Sequence, residues 1–232
     1  MIRCISIITK ESYCDSPNSG KEQTMKILLV NDDGFDHPNL ALLSQACHAR
    51  GHHVTVCAPH TQQSAKSHAF TLNTPLMVYP SSMEGADCAF RVDGTPVDAC
   101  RLGMMQLCEE RPDLVISGIN DGYNTGLATF VSGTCGAARE AAFQGYPAMA
   151  VSMEMDTPKE TAEHFADYAV RMGERLITYP APNQSVLNLN VPPVKKEKIC
   201  GAMMCGLSRN IYKDGYVRCE NPRGKMYFWL TE

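Results

Sequence analysis

The chain has 232 residues and a formal net charge of −4, which suits one α/β domain with a small appendage and provides no basic surface for a nucleic-acid polymer. No apolar stretch reaches the about 18 residues of a membrane-spanning helix. The eleven cysteines show no paired spacing and no C-x-x-C motif. This usage predicts reduced thiols and a cytoplasmic location, without a disulfide framework or a structural zinc site.

The first 24 residues do not resemble the rest of the chain. Residues 16–20 have loop composition, and the apolar piece at residues 5–8 is too short for a signal-peptide core. Met25 directly precedes a strand pattern. We therefore expect residues 1–24 to be a disordered or misannotated extension, with Met25 as the original initiator.

An acidic pair follows the first clear strand. Residues 27–30 are Ile-Leu-Leu-Val, a short continuous apolar run that predicts a parallel strand buried on both faces. Asp32 and Asp33 follow it after the single residue Asn31, at the end where open α/β sheets bind ligands. Because two adjacent carboxylates repel each other, a divalent cation is their usual partner. Ligands that are all oxygen favour Mg²⁺ or Mn²⁺.

Two structural interpretations compete with a metal site at this pair. Asp33-Gly34 is a hairpin signal, but the next segment, residues 38–51, has helical spacing with Pro near its start and Gly at its end. The hairpin interpretation therefore fails. A purely structural turn with helix capping stays open.

The remaining segments alternate between strand and helix patterns. We predict strands at 53–58, 70–79, 89–92, 112–117 and 148–152, with 70–79 and 89–92 paired, and helices at 38–50, 96–110, 137–144 and from a capping box at 157–160. This alternation predicts a right-handed, mostly parallel sheet. Beyond residue 193, short strands and turns predict an antiparallel appendage.

Three loops should meet at one edge of this sheet, because each follows a predicted parallel strand. They carry Asp32 and Asp33, Ser64, and Asn120, so they offer two carboxylates, a hydroxyl and an amide oxygen. Such a set is a credible shell for a hard metal ion with room for waters. Each residue alone is an ordinary loop residue, and only their convergence points to a site.

Residues 132–134, at the start of the next predicted helix, are a candidate anion-binding site. Residues 132–134, Ser-Gly-Thr, supply unpaired backbone N–H groups and two hydroxyls, which is a ready anion site. An N-cap with a tight turn explains the same residues equally well. A metal beside an anion site points to phosphate. His60, His68 and Asp98 stay unassigned, since a loop His is usually solvated and Asp98 suits the helix dipole.

The ordered set of motifs resembles the SurE family, the metal-dependent survival-protein nucleotidases. The matching segments are 27–34, 58–65, 94–98, 117–126, 132–134 and 188–192. The resemblance implies a Rossmann-like three-layer α/β sandwich with a mostly parallel sheet and a C-terminal antiparallel β appendage. We expect a catalytic domain at 25–193 and a truncated appendage at 194–232, because family members continue for several tens of residues.

The resemblance also implies a function. It indicates a phosphoric monoester hydrolase, a 5'-nucleotidase that cleaves nucleoside 5'- and 3'-monophosphates, and in some members short polyphosphate, through a metal-activated water. It implies one divalent ion per subunit, Mg²⁺ or Mn²⁺, and a homodimer or homotetramer. The implied metal ligands are Asp32, Asp33, Ser64 and Asn120, with Asp32 and Asp33 also catalytic. The implied phosphate contacts are Asn124, Ser132, Gly133 and Thr134.

Three other interpretations compete with a nucleotidase. A response-regulator receiver domain needs a phosphoacceptor Asp after its third strand, and residues 114–118 supply none. A non-catalytic nucleotide-binding module tolerates the same fold but does not need paired carboxylates beside an anion site. A truncated, inactive SurE-like protein stays open.

Overall fold

The computed structural model describes residues 2–8 (backbone only), 24–180, 184–209 and 214–231. The strands are β1 (Ile2–Ile8), β2 (Lys26–Val30), β3 (His53–Pro59), β4 (Val78–Ser81), β5 (Cys88–Val92), β6 (Leu114–Asp121), β7 (Ala148–Met153), β8 (Val186–Val191), β9 (Gly201–Cys205), β10 (Gly215–Glu220) and β11 (Met226–Thr231). The helices are α1 (Pro38–Ala49), α2 (Pro96–Leu102), α3 (Ala128–Val131), α4 (Gly133–Phe143) and α5 (Lys159–Thr178).

Nine strands form one sheet in the order β4-β5-β3-β2-β6-β7-β8-β1-β9. Neighbours in this sheet run parallel, except that β4 pairs antiparallel with β5 and β9 pairs antiparallel with β1. Strands β10 and β11 form a separate antiparallel hairpin. The predicted α/β class, the mostly parallel sheet and the C-terminal antiparallel hairpin are confirmed.

Helices cover both faces of the sheet, which makes the predicted three-layer sandwich. Ile27 and Leu29 of β2 belong to the core cluster that includes side chains of α1 and α5. Leu28 and Val30 belong to the opposite cluster, with side chains of α2 and α4. Because side chains alternate along a strand, burial on both faces requires the continuous apolar run at residues 27–30. This burial holds β2 at the centre of the fold.

We predicted one strand at residues 70–79, and this prediction is wrong. Only Val78–Ser81 forms the ladder, antiparallel to β5. The N–H and Oγ1 of Thr71 instead donate to the Asp98 carboxylate, each at 2.8 Å. This part of the chain is therefore bonded to the first turn of α2 and not to a neighbouring strand.

The capping box predicted at residues 157–160 is wrong. Helix α5 begins at Lys159 with Pro158 as its N-cap and no side-chain cap bond. The buried Thr157 Oγ1 has no hydrogen-bond partner among the described residues. The N-cap lies one residue later than the box requires, so the hydroxyl of Thr157 is out of register with the first-turn N–H groups.

The predicted helix at residues 96–110 is shorter than expected. Helix α2 ends at Leu102 and is followed by one π-helical turn, Gly103–Leu107. A Cβ atom on Gly103 would lie 2.7 Å from both Cδ atoms of Leu28. A side chain at this position would therefore force the Leu28 side chain of β2 to shift.

At the N-terminal segment the structure differs from the expected disorder. Ile2–Ile8 forms β1, which lies parallel to β8 and antiparallel to β9. Residues 9–23 lie outside the described residues. Strand β9 joins the main sheet through β1, although we expected it in the appendage, and the domain boundaries at 25–193 and 194–232 stay predictions.

Two further expectations concern composition. None of the cysteines whose side chains the structure describes, all of them between residues 47 and 219, forms a disulfide bond. Within the same ranges, no helix is long and apolar enough to cross a membrane.

A core substitution on β2 tests the two-sided burial. We expect Leu29→Ala to lower the free energy of unfolding by about 2–5 kcal/mol, because Leu29 is fully buried and the change leaves a cavity. The matched control Leu72→Ala should change it by less than about 0.5 kcal/mol, since Leu72 is 77% exposed. Urea unfolding measures both, and equal effects would contradict the assignment of β2 to the core.

Candidate functional site

The candidate site lies at the carboxyl ends of β2 and β6, which are neighbours at the centre of the sheet. Asp32 and Asp33 follow β2 after the single residue Asn31, and Asn120 is the last residue but one of β6. The first residues of α4 approach the same point. The structure thus brings together the acidic pair Asp32 and Asp33, the loop residue Asn120 and the helix-start residue Thr134, which come from three separate segments of the chain.

Asp32 is a buried carboxylate, only 3% exposed. Its Oδ1 accepts a hydrogen bond from the Thr134 hydroxyl, and backbone N–H groups of Gly133 and Thr134 also donate to it. Burial raises the pKa of Asp32, and these hydrogen bonds act in the opposite direction. The positive end of α4 therefore stabilises the Asp32 charge.

Gly133 makes this approach possible. A Cβ atom on Gly133 would lie 2.9 Å from both Cβ and Oδ2 of Asp32 and 3.0 Å from Cγ of Pro96. The Asp32 side chain has little room to move away, because it is buried and its carboxylate is bonded to Thr134. A side chain at this position would therefore push α4 away from the carboxylate.

Asn120 presents its amide oxygen to the same hydroxyl. Its Nδ2 donates to the carbonyls of Gly122 at 2.7 Å and Asp121 at 3.1 Å, which fixes the orientation of the amide. Its Oδ1 lies 3.1 Å from Thr134 Oγ1. One hydroxyl has a single proton, so two acceptors, Asp32 and Asn120, share one donor. This acceptor-rich point is suited to a cation.

Asp33 is half-buried beside Asp32. Its Oδ2 accepts from the N–H of Asp121 at 3.1 Å. Burial, followed by the charge of Asp32, raises the pKa of Asp33 to about 6. In the described ranges no Lys or Arg forms an ion pair with either carboxylate. The pair therefore lacks a positive partner from these side chains.

Asp121 was missed in the sequence analysis, and it belongs to the same group. Its carboxylate lies 3.0 Å from His37 Nε2 and accepts from Asn39 Nδ2 at 2.7 Å. His37 is also the N-cap of α1. The start of α1 therefore holds Asp121, whose N–H in turn holds Asp33. The only feature of the sequence that could have indicated this contact is His37, directly before the predicted helix start at Pro38.

The structure does not join Ser64 to the carboxylates. Ser64 is exposed, and its Oγ accepts from Gln62 Nε2 at 3.3 Å. The backbone of its loop does reach the site, because Gln63 N–H donates to the carbonyl of Asp32 at 2.7 Å. Ser64 is therefore one residue from a contact with the acidic pair.

Asn124 is buried in a network of amides. Its N–H donates to Asn190 Oδ1 at 3.0 Å and its Nδ2 donates to Ser152 Oγ at 3.0 Å. Its carbonyl accepts from Asn188 Nδ2 at 2.7 Å. The segment 188–192 thus holds the loop after β6, a role that the strand pattern did not indicate.

The start of α4 is an N-cap, which was the structural alternative for residues 132–134. Ser132 Oγ accepts from the N–H of Cys135 at 3.0 Å. The first-turn N–H groups of Gly133 and Thr134 bond to Asp32. The predicted anion donors therefore serve the carboxylate in this structure, and the Ser132 hydroxyl proton is the donor left at the helix start.

The residues left unassigned from the sequence have structural partners. The Asp98 carboxylate binds Thr71 and also accepts from the N–H of Thr95 at 2.9 Å, as a capping box requires. His68 Nε2 lies 2.8 Å from the Glu140 carboxylate. His60 Nδ1 lies 3.3 Å from Asp93 Oδ1.

The chemistry of the donor set decides which metal could bind. No group of three or more His, Cys, Asp or Glu side chains is placed to hold a metal ion among the described residues. The candidate site has two such side chains, Asp32 and Asp33, and adds the amide oxygen of Asn120. These ligands are all oxygen, so they could hold a hard divalent ion completed by waters.

Three comparisons with known proteins point to one family. The family model described as Survival protein SurE matches residues 27–214. The 5'-nucleotidase SurE of Gloeobacter violaceus is 39% identical over 209 residues, covering 89% of this chain and 79% of the relative. That of Desulfatibacillum aliphaticivorans is 43% identical over 211 residues, covering 88% and 80%. The crystal structure of the SurE protein from Aquifex aeolicus matches with a TM-score of 0.70 and 31% identity, covering 89% and 82%.

Removing one charge of the acidic pair should stabilise the metal-free protein. The folded pKa of Asp33, about 6, lies above its ordinary value of 3.8. The unfavourable charge is therefore absent below about pH 4 and fully present above about pH 6. We expect Asp33→Asn to raise the free energy of unfolding at pH 7.5 by about 1 kcal/mol, allowing for solvent screening, and to lose this gain at pH 4.

Urea unfolding of chelator-treated protein at the two pH values measures this effect. Asp36→Asn is the matched control, because the ion pair with Arg91 lowers the pKa of Asp36. That variant should not gain stability. A wild-type protein as stable at pH 7.5 as the Asp33→Asn variant would contradict the repulsion.

The Thr134 hydroxyl should matter more than the rest of its side chain. We expect Thr134→Val to lower the free energy of unfolding by about 1–3 kcal/mol, because Asp32 and Asn120 both lose their shared donor in a buried place. Thr134→Ser keeps the hydroxyl and should cost clearly less. Equal losses in thermal or urea unfolding would show that packing of the methyl group, and not the hydroxyl, is responsible.

Proposed function

The chain belongs to the survival protein SurE family, and from this we propose that it is a phosphoric monoester hydrolase, a 5'-nucleotidase acting on nucleoside monophosphates. The observation that supports this most strongly is the convergence of Asp32, Asp33 and Asn120 at the start of α4. Two carboxylates without a cationic side chain need a metal ion, and a metal ion beside a helix start suits a phosphate ester.

SurE nucleotidases generally depend on a divalent metal ion. We propose one Mg²⁺ or Mn²⁺ per subunit, held by Asp32, Asp33 and Asn120. Ser64 would be the fourth ligand, because its loop is bonded to the carbonyl of Asp32 through the N–H of Gln63. The acceptor excess around the Thr134 hydroxyl supports this ligand set. When bound, the ion supplies a Lewis acid for the phosphoryl group.

The two carboxylates differ in what they can do. Asp32 is buried and accepts hydrogen bonds from the Thr134 hydroxyl and from two backbone N–H groups. These bonds hold its carboxylate in one orientation, as suits a metal ligand. Asp33 is half-buried and accepts one bond, from Asp121 N–H. We assign Asp33 as the group that accepts the proton of the attacking water, because it keeps free lone pairs toward solvent.

The phosphate would lie against the start of α4. Ser132 has a hydroxyl proton to donate, and Gly133 and Thr134 carry the positive end of the helix. Asn124 is the fourth proposed contact, and its buried amide network with Ser152 supports a fixed position for the loop after β6. These four residues would hold the phosphate oxygens that do not react.

Further substrates and assembly belong to the same proposal. We propose nucleoside 3'-monophosphates and short polyphosphate as additional substrates, a cytoplasmic location, and a homodimer or homotetramer. The hairpin β10–β11 supports self-association, because Tyr216 is 72% and Trp229 66% exposed on it. Such a cluster of exposed aromatic side chains is typical of an interface.

Phosphate release tests the function. Chelator-stripped protein should release phosphate from adenosine 5'-monophosphate only after Mn²⁺ or Mg²⁺ is added. Asp33→Asn should lower kcat by at least about 10²-fold, since the proton acceptor is lost, while the far-UV spectrum stays unchanged. Asp36→Asn, on the same loop, should keep wild-type activity.

The same assay separates the alternatives. An active Asp33→Asn enzyme would overturn the assignment of Asp33. Absence of release from wild type, together with intact nucleotide binding, would instead favour a non-catalytic nucleotide-binding or otherwise inactive SurE-like protein. Adenosine 3'-monophosphate and tripolyphosphate in the same panel test the additional substrates.

A further inference from the structure

The loop that carries Ser64 is attached to the protein at both ends. On one side, Gln63 N–H donates to the carbonyl of Asp32 at 2.7 Å. On the other side, Ser67 N–H donates to the carbonyl of Val131 at 2.9 Å, and Ser67 Oγ donates to the carbonyl of Phe130 at 2.6 Å. Ser64 thus lies between a contact with the acidic pair and a contact with α3.

The backbone of this loop is held in an uncommon conformation. Ala65 has φ 59° and Ser67 has φ 56°, so two residues with side chains adopt the left-handed region within three positions. Only three residues other than glycine have a positive φ in the described ranges. Such conformations persist where the surrounding structure imposes them, and they concentrate at functional sites.

Helix α4 is shaped to receive the loop. A Cβ atom on Gly136 would lie 2.0 Å from the carbonyl oxygen of Ser67, so only glycine allows this contact. Gly136 lies one turn after Gly133, whose missing side chain allows the contact with Asp32. One helix therefore approaches the acidic pair with its first turn and the Ser64 loop with its next.

His68 completes this attachment through a buried carboxylate. Its Nε2 lies 2.8 Å from Glu140 Oε2, and its ring stacks on Phe143 with centroids 5.6 Å apart. Arg139 Nε donates to His68 Nδ1 at 3.1 Å. Since an arginine can only donate, His68 Nδ1 accepts this bond, and the N–H at Nε2 donates a hydrogen bond to Glu140.

Glu140 is itself held firmly. Its side chain is 5% exposed, and its Oε1 accepts from Arg101 at 2.5 Å and from Gln144 at 3.1 Å. The carboxylate cannot follow His68 if the loop moves. The His68–Glu140 contact is thus a fixed point on α4 for a loop that otherwise lies exposed at residues 64–66.

We propose that His68 is a positioning residue, which through Glu140 fixes the Ser64 loop against α4 and so sets the affinity of the site for its metal ion. This inference rests on the proposed function, because it takes Ser64 as a metal ligand. His68 does not touch the acidic pair. Its loss should weaken metal binding, whereas the chemical step at saturating metal should stay close to that of wild type.

Metal affinity gives the first test. Titration calorimetry with Mn²⁺ should show His68→Ala binding at least about 10-fold more weakly than wild type, as is usual when a residue supporting a ligand is removed. His68→Gln can still donate to Glu140 and should recover most of the affinity. His60→Ala is the matched control: it removes a half-exposed histidine near the same loop, paired with Asp93, and should not change the affinity.

Trypsin cleavage gives a second readout that needs no metal. Lys66 is exposed within the loop, and Lys159 is exposed at the start of α5. Cleavage after Lys66 should become about 10-fold faster in His68→Ala, while cleavage after Lys159 should not change. Equal acceleration at both sites would mean general destabilisation and would overturn the proposal.

The outcomes separate this inference from the proposed function. Wild type that binds Mn²⁺ but releases no phosphate contradicts the nucleotidase proposal, and the affinity ratio of the variants still tests His68. A His68→Ala protein with wild-type Mn²⁺ affinity overturns the positioning role, as does a wild-type protein that binds no Mn²⁺.

If His68→Ala does not fold, a second variant tests the same attachment of the loop. Ser67→Ala removes the adjacent hydrogen bond to the carbonyl of Phe130 and should also weaken Mn²⁺ binding.

Discussion

The arrangement of this protein depends on the contact between the start of α4 and the buried carboxylate of Asp32. A charge with 3% exposure is unfavourable unless it is paired. Here the Thr134 hydroxyl and two backbone N–H groups supply that pairing, with the helix dipole in the same direction. This contact fixes α4 against the end of β2. Every other part of the candidate site is placed relative to it.

The sheet order explains why the site forms at this point. From β2 the chain continues to β3 on one side, and β6 lies on the other side, so the connections diverge where Asp32 and Asn120 meet. Open α/β sheets bind ligands at such switch points, because the diverging loops leave a crevice. Helix α4 begins at this point and contributes both backbone and side-chain groups.

Burial raises the pKa of both carboxylates of the pair, but their neighbours differ. Hydrogen bonds from the start of α4 oppose this rise at Asp32, whereas the charge of Asp32 adds to the effect of burial at Asp33 and raises its pKa to about 6. Asp121, held by His37 and Asn39, positions Asp33 through its N–H but adds no positive charge. The unfavourable charge pair is consistent with a protein whose folded form is completed by a cation.

Sequence alone determined the central strand, the acidic pair after it and the approach of the ends of β2 and β6, because apolar runs and the order of strands can be read from the chain. The predictions from sequence failed where a residue distant in the chain determines the local structure. Thr71 binds Asp98 instead of extending a strand, and Thr157 does not cap α5. Only the tertiary structure decided which way Asn120 turns its amide. Side-chain direction and hydrogen-bond partners depend on segments far apart in the chain, so no local pattern carries them.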